Sequence, residues 1–433
     1  MTAPGTQAPD REDQVAIAAL HARGIQVTDI QALARSQAPF ARRTTPWNRR
    51  LAPGVSLTAR TAELGDGHFT NVFTLTIDLD RASCRAASSA AGFHLRDLVH
   101  GAALAAVSGT FSYISDDPAY QPAEACLDLA CRDGNIASLP TATKPALLIH
   151  RGRPLVCTLV ATGTLTAAGH THPWTGSKDA QPPHRPGHLA VFGAANCRVR
   201  YRDDARTGFL RDVDPATNTT PRTHDALDCT VTPTTNGLKV TAVHPGGGAD
   251  LFAGAFILRA HQPWPSHLTN GVPIHVTSID TFQTQDLESA LSLGPSVADA
   301  AANHTWAWDQ SLGTSPFRPT ARYARTLLAL RGSQLRLQVL DGAPLTSTFQ
   351  GATPQDTADL CTADGLDPAH VFHLDGGQTS KIAYSRDHQG PDVVGSLHYL
   401  RWPSPAEAPF RWRGLDGRLL RSALVITAPK EPR

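Results

Sequence analysis

The chain has 433 residues, of which 41% are hydrophobic and 18% are charged, a balance typical of folded globular proteins rather than disordered ones. Its 39 lysines and arginines nearly equal its 38 aspartates and glutamates, so the sequence lacks the positive excess with which proteins bind nucleic acid or anionic membranes. The seven cysteines include no Cys-x-x-Cys pair, which disfavours a small disulfide scaffold or a zinc ribbon.

The amino-terminal part predicts a short helical extension. Residues 12–23 place apolar side chains at mostly helical spacing, and a second helix is expected at residues 27–35. The Arg- and Trp-containing segment 42–50 is predicted to be a solvated linker, with a contact to an anionic partner as the alternative. We assign the extension and the linker to residues 1–52.

The beginning of the chain also bears on its location. Residues 1–14 contain no apolar stretch of the kind that a secretion signal requires, and no run approaches 18 consecutive apolar residues. We therefore expect a cytoplasmic protein without a membrane span.

Residues 53–428 predict one large β-rich domain of the α+β class, with mixed sheet and a few helices. Residues 72–79 alternate between apolar and polar side chains, as in a half-buried strand. A helix is expected at residues 89–100, and an irregular loop at residues 170–187, which contain three histidines and four prolines. Further strands are predicted at residues 102–107, 146–150, 154–161, 189–192, 238–243 and 252–260.

The last third of the sequence predicts a strand, a helix and a strand after a hairpin. Residues 323–330 and 334–340 form the hairpin, and Thr353 with Asp356 resembles a capping box that opens a helix. A short strand follows at residues 370–374. A helix of this length between two strands implies that strands 334–340 and 370–374 are parallel neighbours, joined by a right-handed crossover.

Asp341 and Asp375 would then end two neighbouring strands. Parallel strands place their carboxyl ends on one edge of a sheet, where ligands tend to bind. The hairpin sets residue 325 roughly opposite residue 339, so we expect Arg325 to project near Asp341.

Four segments of the chain carry a family resemblance. They are Ser108-Gly109-Thr110-Phe111-Ser112, Ala324-Arg325-Thr326-Leu327, Leu340-Asp341-Gly342-Ala343 and Leu374-Asp375-Gly376-Gly377-Gln378-Thr379-Ser380. In order and separation they resemble the Asn-Gly-Gly-Phe-Phe, Pro-Arg-Thr-Ala, Val-Asp-Gly-Arg and Leu-Asp-Gly-Gly-Gly-Ser-Thr segments of the phosphodiester glycosidase family. The resemblance covers most of residues 53–428.

This resemblance implies hydrolysis of a sugar C1–O bond whose other substituent is a phosphate. We name no cofactor and no metal-binding residues for this reaction. The expected ligand is a small phosphorylated sugar or a nucleotide-linked sugar. Asp375 and Asp341 are the candidate catalytic residues, because two carboxyl groups with different pKa values can serve as acid and base. Arg325 is expected to bind the phosphate, since its planar guanidinium group matches a phosphate better than an ammonium does. The other candidate ligand-binding residues are Thr326, Gly376, Gly377, Thr379, Ser380, Ser108, Gly109 and Phe111.

Three departures from the family pattern leave a second interpretation open. Ser108 stands where the family has Asn, Gln378 where it has a third Gly, and Ala343 where it has Arg. A sugar- or nucleotide-binding protein that has lost catalysis fits these changes.

A third interpretation is a metal-dependent phosphodiesterase that cleaves the P–O bond. His170, His172, His184 and His188 are concentrated in one segment, and alternate histidines can bind zinc when they face the same way.

Overall fold

The fold consists mainly of β-strands. The computed structural model describes residues 11–113, 125–126, 128–132, 134–178, 185–202, 210–213, 216–235, 237–303, 317–386, 390–397, 400–401, 411–412 and 419–428. The described helices are α1 (Arg11–His21), α2 (Ile30–Ser36), α3 (Val297–Ala301) and α4 (Pro354–Ala363). None of these helices is long and apolar enough to cross a membrane. The predicted β-rich fold, with mixed sheets and few helices, is confirmed.

One antiparallel sheet carries both candidate aspartates at its edge. In spatial order it comprises β1 (Trp47–Ala52), β2 (Val55–Glu63), β3 (Phe69–Asp78), β24 (Gln334–Leu340), β23 (Arg325–Arg331) and β25 (Val371–Leu374). We call it the first sheet. One face, with Leu57, Leu75 and Leu337 fully buried, lies in a core shared with the other sheets, because alternate residues of a strand point to the same side.

A second antiparallel sheet packs on that face. It comprises β27 (Pro391–Gly395), β26 (Lys381–Ser385), β5 (Ala103–Ser108), β30 (Leu420–Thr427) and β4 (Ser83–Phe93). Val107, Ile382 and Leu424 from this sheet join the core of the first sheet. The end of β5 and the beginning of β26 therefore lie close to the carboxyl edge of the first sheet.

Most of the other described strands form a third sheet and a closed barrel. The third sheet comprises β11 (Arg153–Leu159), β10 (Lys144–His150), β22 (Leu287–Ser292), β8 (Ala130–Arg132) and β9 (Asn135–Ser138). The barrel comprises β12 (Thr162–Ala167), β13 (His170–Gly176), β14 (Leu189–Phe192), β19 (Phe256–His261), β17 (Ala226–Thr234), β18 (Gly237–Pro245) and β20 (Pro273–Ile279), with β12 paired to β20; β21 (Phe282–Gln283) extends β20. The pair β13–β14 is parallel.

Two-stranded antiparallel pairs complete the described strands. They are β6 (Ser112–Tyr113) with β7 (Ala125–Cys126), β15 (Val199–Arg202) with β16 (Leu210–Val213), and β28 (Leu400–Arg401) with β29 (Arg411–Trp412). At the amino terminus, Leu20 of α1 and Leu33 of α2 are buried in one cluster with Phe69 and Phe349, so the helical extension packs against the first sheet and the loop after β24.

Several sequence predictions agree with these elements. The strand at 72–79, the hairpin at 146–161 and the strands at 102–107, 189–192, 238–243 and 252–260 correspond to described strands. The capping box is also present: the Thr353 hydroxyl accepts a bond from the Asp356 amide, and the Asp356 carboxylate accepts one from the Thr353 amide.

The helix predicted at residues 89–100 is wrong. Residues 83–93 form β4, which pairs with β30 from Ser83 to Ser88, and only a 3₁₀ turn follows at Leu95–Leu98. Pairing with a strand more than 300 residues away overrides the local helical preference.

Two predicted irregular segments contain strands. Residues 170–176, placed in a loop by the sequence, form β13, whose buried residues His172, Trp174 and Gly176 alternate toward the barrel interior; residues 179–184 lie outside the described part. Within the predicted linker at 42–50, Trp47 begins the edge strand β1, because its backbone pairs with Ala59 of β2.

The sequence predicted that strands 334–340 and 370–374 are direct neighbours, and this pairing is wrong. β23 lies between β24 and β25 and is antiparallel to both. β24 and β25 therefore run in the same direction, although they are separated by one strand. The hairpin that contains β23 supplies the intervening strand, which is why the two carboxyl ends still share an edge.

The capping box of α4 gives a stability prediction. Thr353→Ala removes the acceptor for the Asp356 amide, and we expect the free energy of unfolding to fall by about 1 kcal/mol. Thr353→Ser keeps a hydroxyl and should stay within a few tenths of a kcal/mol of wild type. Urea denaturation measures both; equal losses in the two variants would show that the hydroxyl does not cap the helix.

Candidate functional site

The carboxyl edge of the first sheet brings Asp341 and Asp375 to either side of β23. Thr326 of β23 pairs with Val339 on one side and with Leu374 on the other. Since neighbouring strands lie about 4.8 Å apart, the Cα atoms of the two aspartates are separated by roughly 10 Å. Both predicted catalytic residues thus belong to one edge, as the sequence analysis expected.

Asp341 has a buried carboxyl group with an unusual protonation equilibrium. Its Oδ1 accepts a hydrogen bond from the Gly342 amide at 2.7 Å. Burial raises the pKa of Asp341 from 3.8 to about 7, and the Gly342 amide and the positive charge of Lys381 oppose the rise. Near neutral pH this carboxyl is therefore available both as an acid and as a base.

Asp341 lies on the wall of a cleft of about 680 Å³ between the helical extension and the first and second sheets. We call this the arginine cleft, because its lining includes Arg23, Arg42, Arg43, Arg49 and Arg386. Asp341 and Asp392 are the acidic side chains among the described lining residues. The cleft is therefore positively charged, although the whole chain is nearly neutral.

Aromatic rings support two of these arginines. The Arg49 guanidinium lies 5.8 Å from the ring centre of Trp47 and 5.4 Å from that of Tyr384, and it donates a 3.1 Å hydrogen bond to the Tyr384 hydroxyl. Arg43 lies 4.5 Å from the ring centre of Phe69. Such contacts fix a guanidinium group without neutralising its charge.

Around Asp375, several predicted ligand-binding residues form a buried polar cluster. The Ser108 hydroxyl donates to the Asp375 carbonyl oxygen at 2.8 Å and lies 3.3 Å from the Thr326 hydroxyl, which donates to Ser380 at 3.2 Å. The Asp375 amide donates to the Gly109 carbonyl. The edge of the first sheet is thereby tied to the ends of β5 and β26, and these hydroxyl groups are occupied by protein partners.

The remaining candidates lie next to this cluster. The Gly377 amide donates to the Ala324 carbonyl at 2.8 Å, and the Thr379 hydroxyl donates to the Gly376 carbonyl at 2.9 Å. Gly377 has a positive φ of 64°, a conformation that favours glycine. Phe111 packs edge-on against Phe317.

Arg325 does not project toward Asp341. Its partner in the hairpin is Leu340, one residue from the expected register, so it points to the α4 side of the sheet, whereas Asp341 continues the face of Val339. The buried guanidinium group donates to the carbonyl oxygens of Ala352 (3.0 Å) and Ala321 (3.2 Å). Burial lowers its pKa to about 10.

The histidines of the metal-dependent interpretation are placed on the barrel. His172 is buried, with Nδ1 at 2.9 Å from the Gly187 carbonyl and Nε2 at 2.8 Å from His267; His188 lies 3.0 Å from the Thr175 hydroxyl. His184 lies outside the described residues. Within the described part of the chain, no group of three or more His, Cys, Asp or Glu side chains is arranged to hold a metal ion.

Sequence reasoning missed most of the arginine cleft. The segment 42–50, for which an anionic partner was the alternative interpretation, supplies Arg42, Arg43 and Arg49. Tyr384 comes from β26, Arg386 follows that strand, and Asp392 comes from β27. No local pattern connects these distant segments.

No model of a known protein family matches this chain, and no curated protein does. Among solved structures, a hypothetical protein from Synechocystis aligns with a TM-score of 0.50 and 13% identity over 89% of this chain, which spans 64% of that protein's length. A putative exported protein from Burkholderia pseudomallei aligns with a TM-score of 0.49 and 20% identity over 83% of this chain and 74% of that one. A third structure aligns with a TM-score of 0.37 and 10% identity over 89% of each chain. It is the catalytic domain of zebrafish N-acetylglucosamine-1-phosphodiester alpha-N-acetylglucosaminidase, auto-inhibited by its pro-peptide. The first likeness shows a shared fold and nothing finer, and the other two scores are too low to support an argument.

The raised pKa of Asp341 predicts a dependence of stability on pH. Because the folded-state pKa of about 7 exceeds the ordinary 3.8, the protonated carboxyl stabilises the fold fully below about pH 4. That contribution is lost as the pH rises through 7. Asp341→Asn cannot ionise, so its free energy of unfolding relative to wild type should increase by up to about 4 kcal/mol between pH 4 and pH 8.

Urea denaturation across this pH range measures the effect, with the exposed Asp80→Asn as a control of equal charge change. A difference between Asp341→Asn and wild type that stays constant with pH would mean that Asp341 ionises like an exposed aspartate.

The position of Arg325 predicts a structural effect of its replacement. Arg325→Lys keeps the charge but cannot reach both carbonyl acceptors, so we expect a loss of about 2–3 kcal/mol in the free energy of unfolding. The exposed Arg151→Lys is the control. Weakened phosphate binding at unchanged stability would instead support the phosphate contact predicted from the sequence.

Proposed function

We propose that this chain is a hydrolase that cleaves the glycosidic C1–O bond of a sugar phosphodiester or glycosyl phosphate. The observation that carries the proposal is the Asp341 carboxyl, whose pKa burial raises to about 7 on the wall of the arginine cleft. A proton donor in a cleft that several guanidinium groups also line suits a bond whose leaving group is a phosphate. The resemblance of four segments to the phosphodiester glycosidases supports the same reaction.

The reaction assigns different tasks to the two aspartates. Asp341 donates its proton to the bridging oxygen as the C1–O bond breaks, and the sugar carbon acquires positive charge. A water molecule then forms the new C1–O bond and gives a proton to a carboxylate, for which Asp375 is the candidate. Return of that proton to Asp341 completes the cycle, with one water consumed.

The substrate we propose is a small phosphorylated or nucleotide-linked sugar. A phosphate is a good leaving group, so its departure needs less help from an acid than an alcohol would. General acid catalysis contributes about 10²–10⁴-fold to a rate, and we place Asp341 at the lower end.

A second candidate function is binding of such a ligand without catalysis. One observation favours it: the hydroxyls of Ser108 and Thr326, beside Asp375, donate to protein atoms inside a buried cluster. On this alternative the arginine cleft holds the ligand and Asp375 only fixes the edge of the sheet.

Turnover of a panel of glycosyl phosphates and phosphodiesters tests the proposal. With wild type, kcat/KM should fall as the pH rises above about 7, because Asp341 loses the proton that it donates. Asp341→Asn should lower kcat/KM about 100-fold and remove this alkaline decline. Asp375→Asn should lower it at least as much, whereas the exposed Asp80→Asn should resemble wild type.

Hydrolysis in oxygen-18 water identifies the bond that breaks. Label in the sugar supports C1–O cleavage, and label in the phosphate supports the metal-dependent alternative of P–O cleavage. Saturable binding across the panel without turnover would replace the hydrolase by the binding protein.

A further inference from the structure

The arginines of the cleft differ in what they bind. Arg43 pairs with Glu63, while Arg23 and Arg386 share Asp392 at 3.4 and 3.3 Å. Arg42 donates to the Gly24 carbonyl, and Arg49 donates to the Tyr384 hydroxyl. Among the described residues, Arg42 and Arg49 are thus the cleft arginines whose hydrogen-bond partners are neutral.

Arg49 is held in place before any ligand arrives. Its guanidinium group contacts the rings of both Trp47 and Tyr384, and Trp47 in turn packs against Phe73 at 6.5 Å between ring centres. The bond to Tyr384 uses one of five N–H donors. The other donors can bind an anion with little loss of side-chain entropy, since the aromatic contacts have already restricted the side chain.

Arg42 lies in the same cleft and is exposed. Its bond to the Gly24 carbonyl anchors the side chain to the loop after α1 without cancelling its charge. Two positive charges without a carboxylate partner thus line the same cleft. An oxyanion in the cleft would balance these charges and accept charge-assisted hydrogen bonds from the two groups.

The usual pairing of surface arginines with carboxylates does not account for Arg42 and Arg49. The other three cleft arginines each have a carboxylate partner, as surface arginines commonly do. Arg42 and Arg49 face a cleft that also contains Asp341, and Asp341 is the carboxyl whose burial disfavours a negative charge. The positive charge of this wall thus remains available for a ligand.

We propose that Arg42 and Arg49 form a phosphate-binding subsite in the arginine cleft. The ligand class is a phosphate group, either free or esterified to a sugar. The subsite takes the role that the sequence had assigned to Arg325. The proposed function is needed only to identify this phosphate as the leaving group of the reaction. Phosphate binding by Arg42 and Arg49 does not depend on it, because binding can be measured without turnover.

Titration calorimetry with the full chain tests the subsite, using inorganic phosphate, α-glucose 1-phosphate and glucose as three separate probes. Both phosphates should bind saturably, and glucose should bind at least tenfold more weakly than glucose 1-phosphate. Arg42→Gln and Arg49→Gln should each weaken phosphate binding by about tenfold or more, because each removes a charged donor. Comparable affinity for the two phosphates assigns the subsite to the phosphate group alone, whereas tighter binding of the ester adds a sugar contact.

Arg151→Gln is the matched control, because it removes the same charge from an exposed turn of the third sheet. It should leave phosphate affinity within twofold of wild type. Thermal unfolding checks that the variants fold, and Arg49→Lys, which keeps the charge but not the planar group, should fall between wild type and Arg49→Gln.

Equal phosphate affinity in Arg42→Gln, Arg49→Gln and Arg151→Gln would overturn the subsite, as would the absence of phosphate binding to wild type. This outcome is distinct from failure of the proposed function. A chain that binds phosphate through Arg42 and Arg49 but hydrolyses no glycosyl phosphate keeps the subsite and loses the hydrolase. A chain that hydrolyses the substrate with unchanged KM in both arginine variants keeps the hydrolase and loses the subsite.

Discussion

The double pairing of β23 determines where the chemistry of this protein can occur. Thr326 pairs with Val339 and Leu374 in one row, which fixes the ends of β24 and β25 on the same edge of the sheet. Because the side chains of a strand alternate, the same register sends Thr326 toward the second sheet and Arg325 toward α4. A slip of one residue would exchange these two faces and move every polar group of the edge.

That register also separates two kinds of buried polar group. On the second-sheet side, the hydroxyls of Ser108, Thr326 and Ser380 bond to one another and to the backbone, so they cost little when water is excluded. Asp341 continues the same face, but its carboxyl is an acid whose ionised form is disfavoured by burial. Burial leaves the protonation of the hydroxyl groups unchanged, whereas it favours the protonated form of the carboxyl group.

Local sequence signals were sufficient where the structure depends on neighbouring residues. Thr353 and Asp356 are three positions apart, and the capping box they predicted is present. The helix predicted at 89–100 was wrong because the strand found there, β4, depends on pairing with the distant β30. The shared edge of Asp341 and Asp375 was predicted correctly from an incorrect parallel pair, since an inserted antiparallel strand preserves the relative direction of its neighbours. The arginine cleft joins residues 22–49 with residues 384–397, and no periodicity of the sequence links those segments.

The environments of the two aspartates determine how a ligand could reach them. Asp341 belongs to the lining of the arginine cleft, whereas the residues bonded to Asp375 are fully buried between the two sheets. A charged phosphate loses much hydration free energy when it leaves water, and guanidinium groups must replace that hydration. The cleft offers such groups on the Asp341 side. A phosphate ester would therefore bind with its charged end among the arginines and its sugar carbon on the Asp341 side of the sheet.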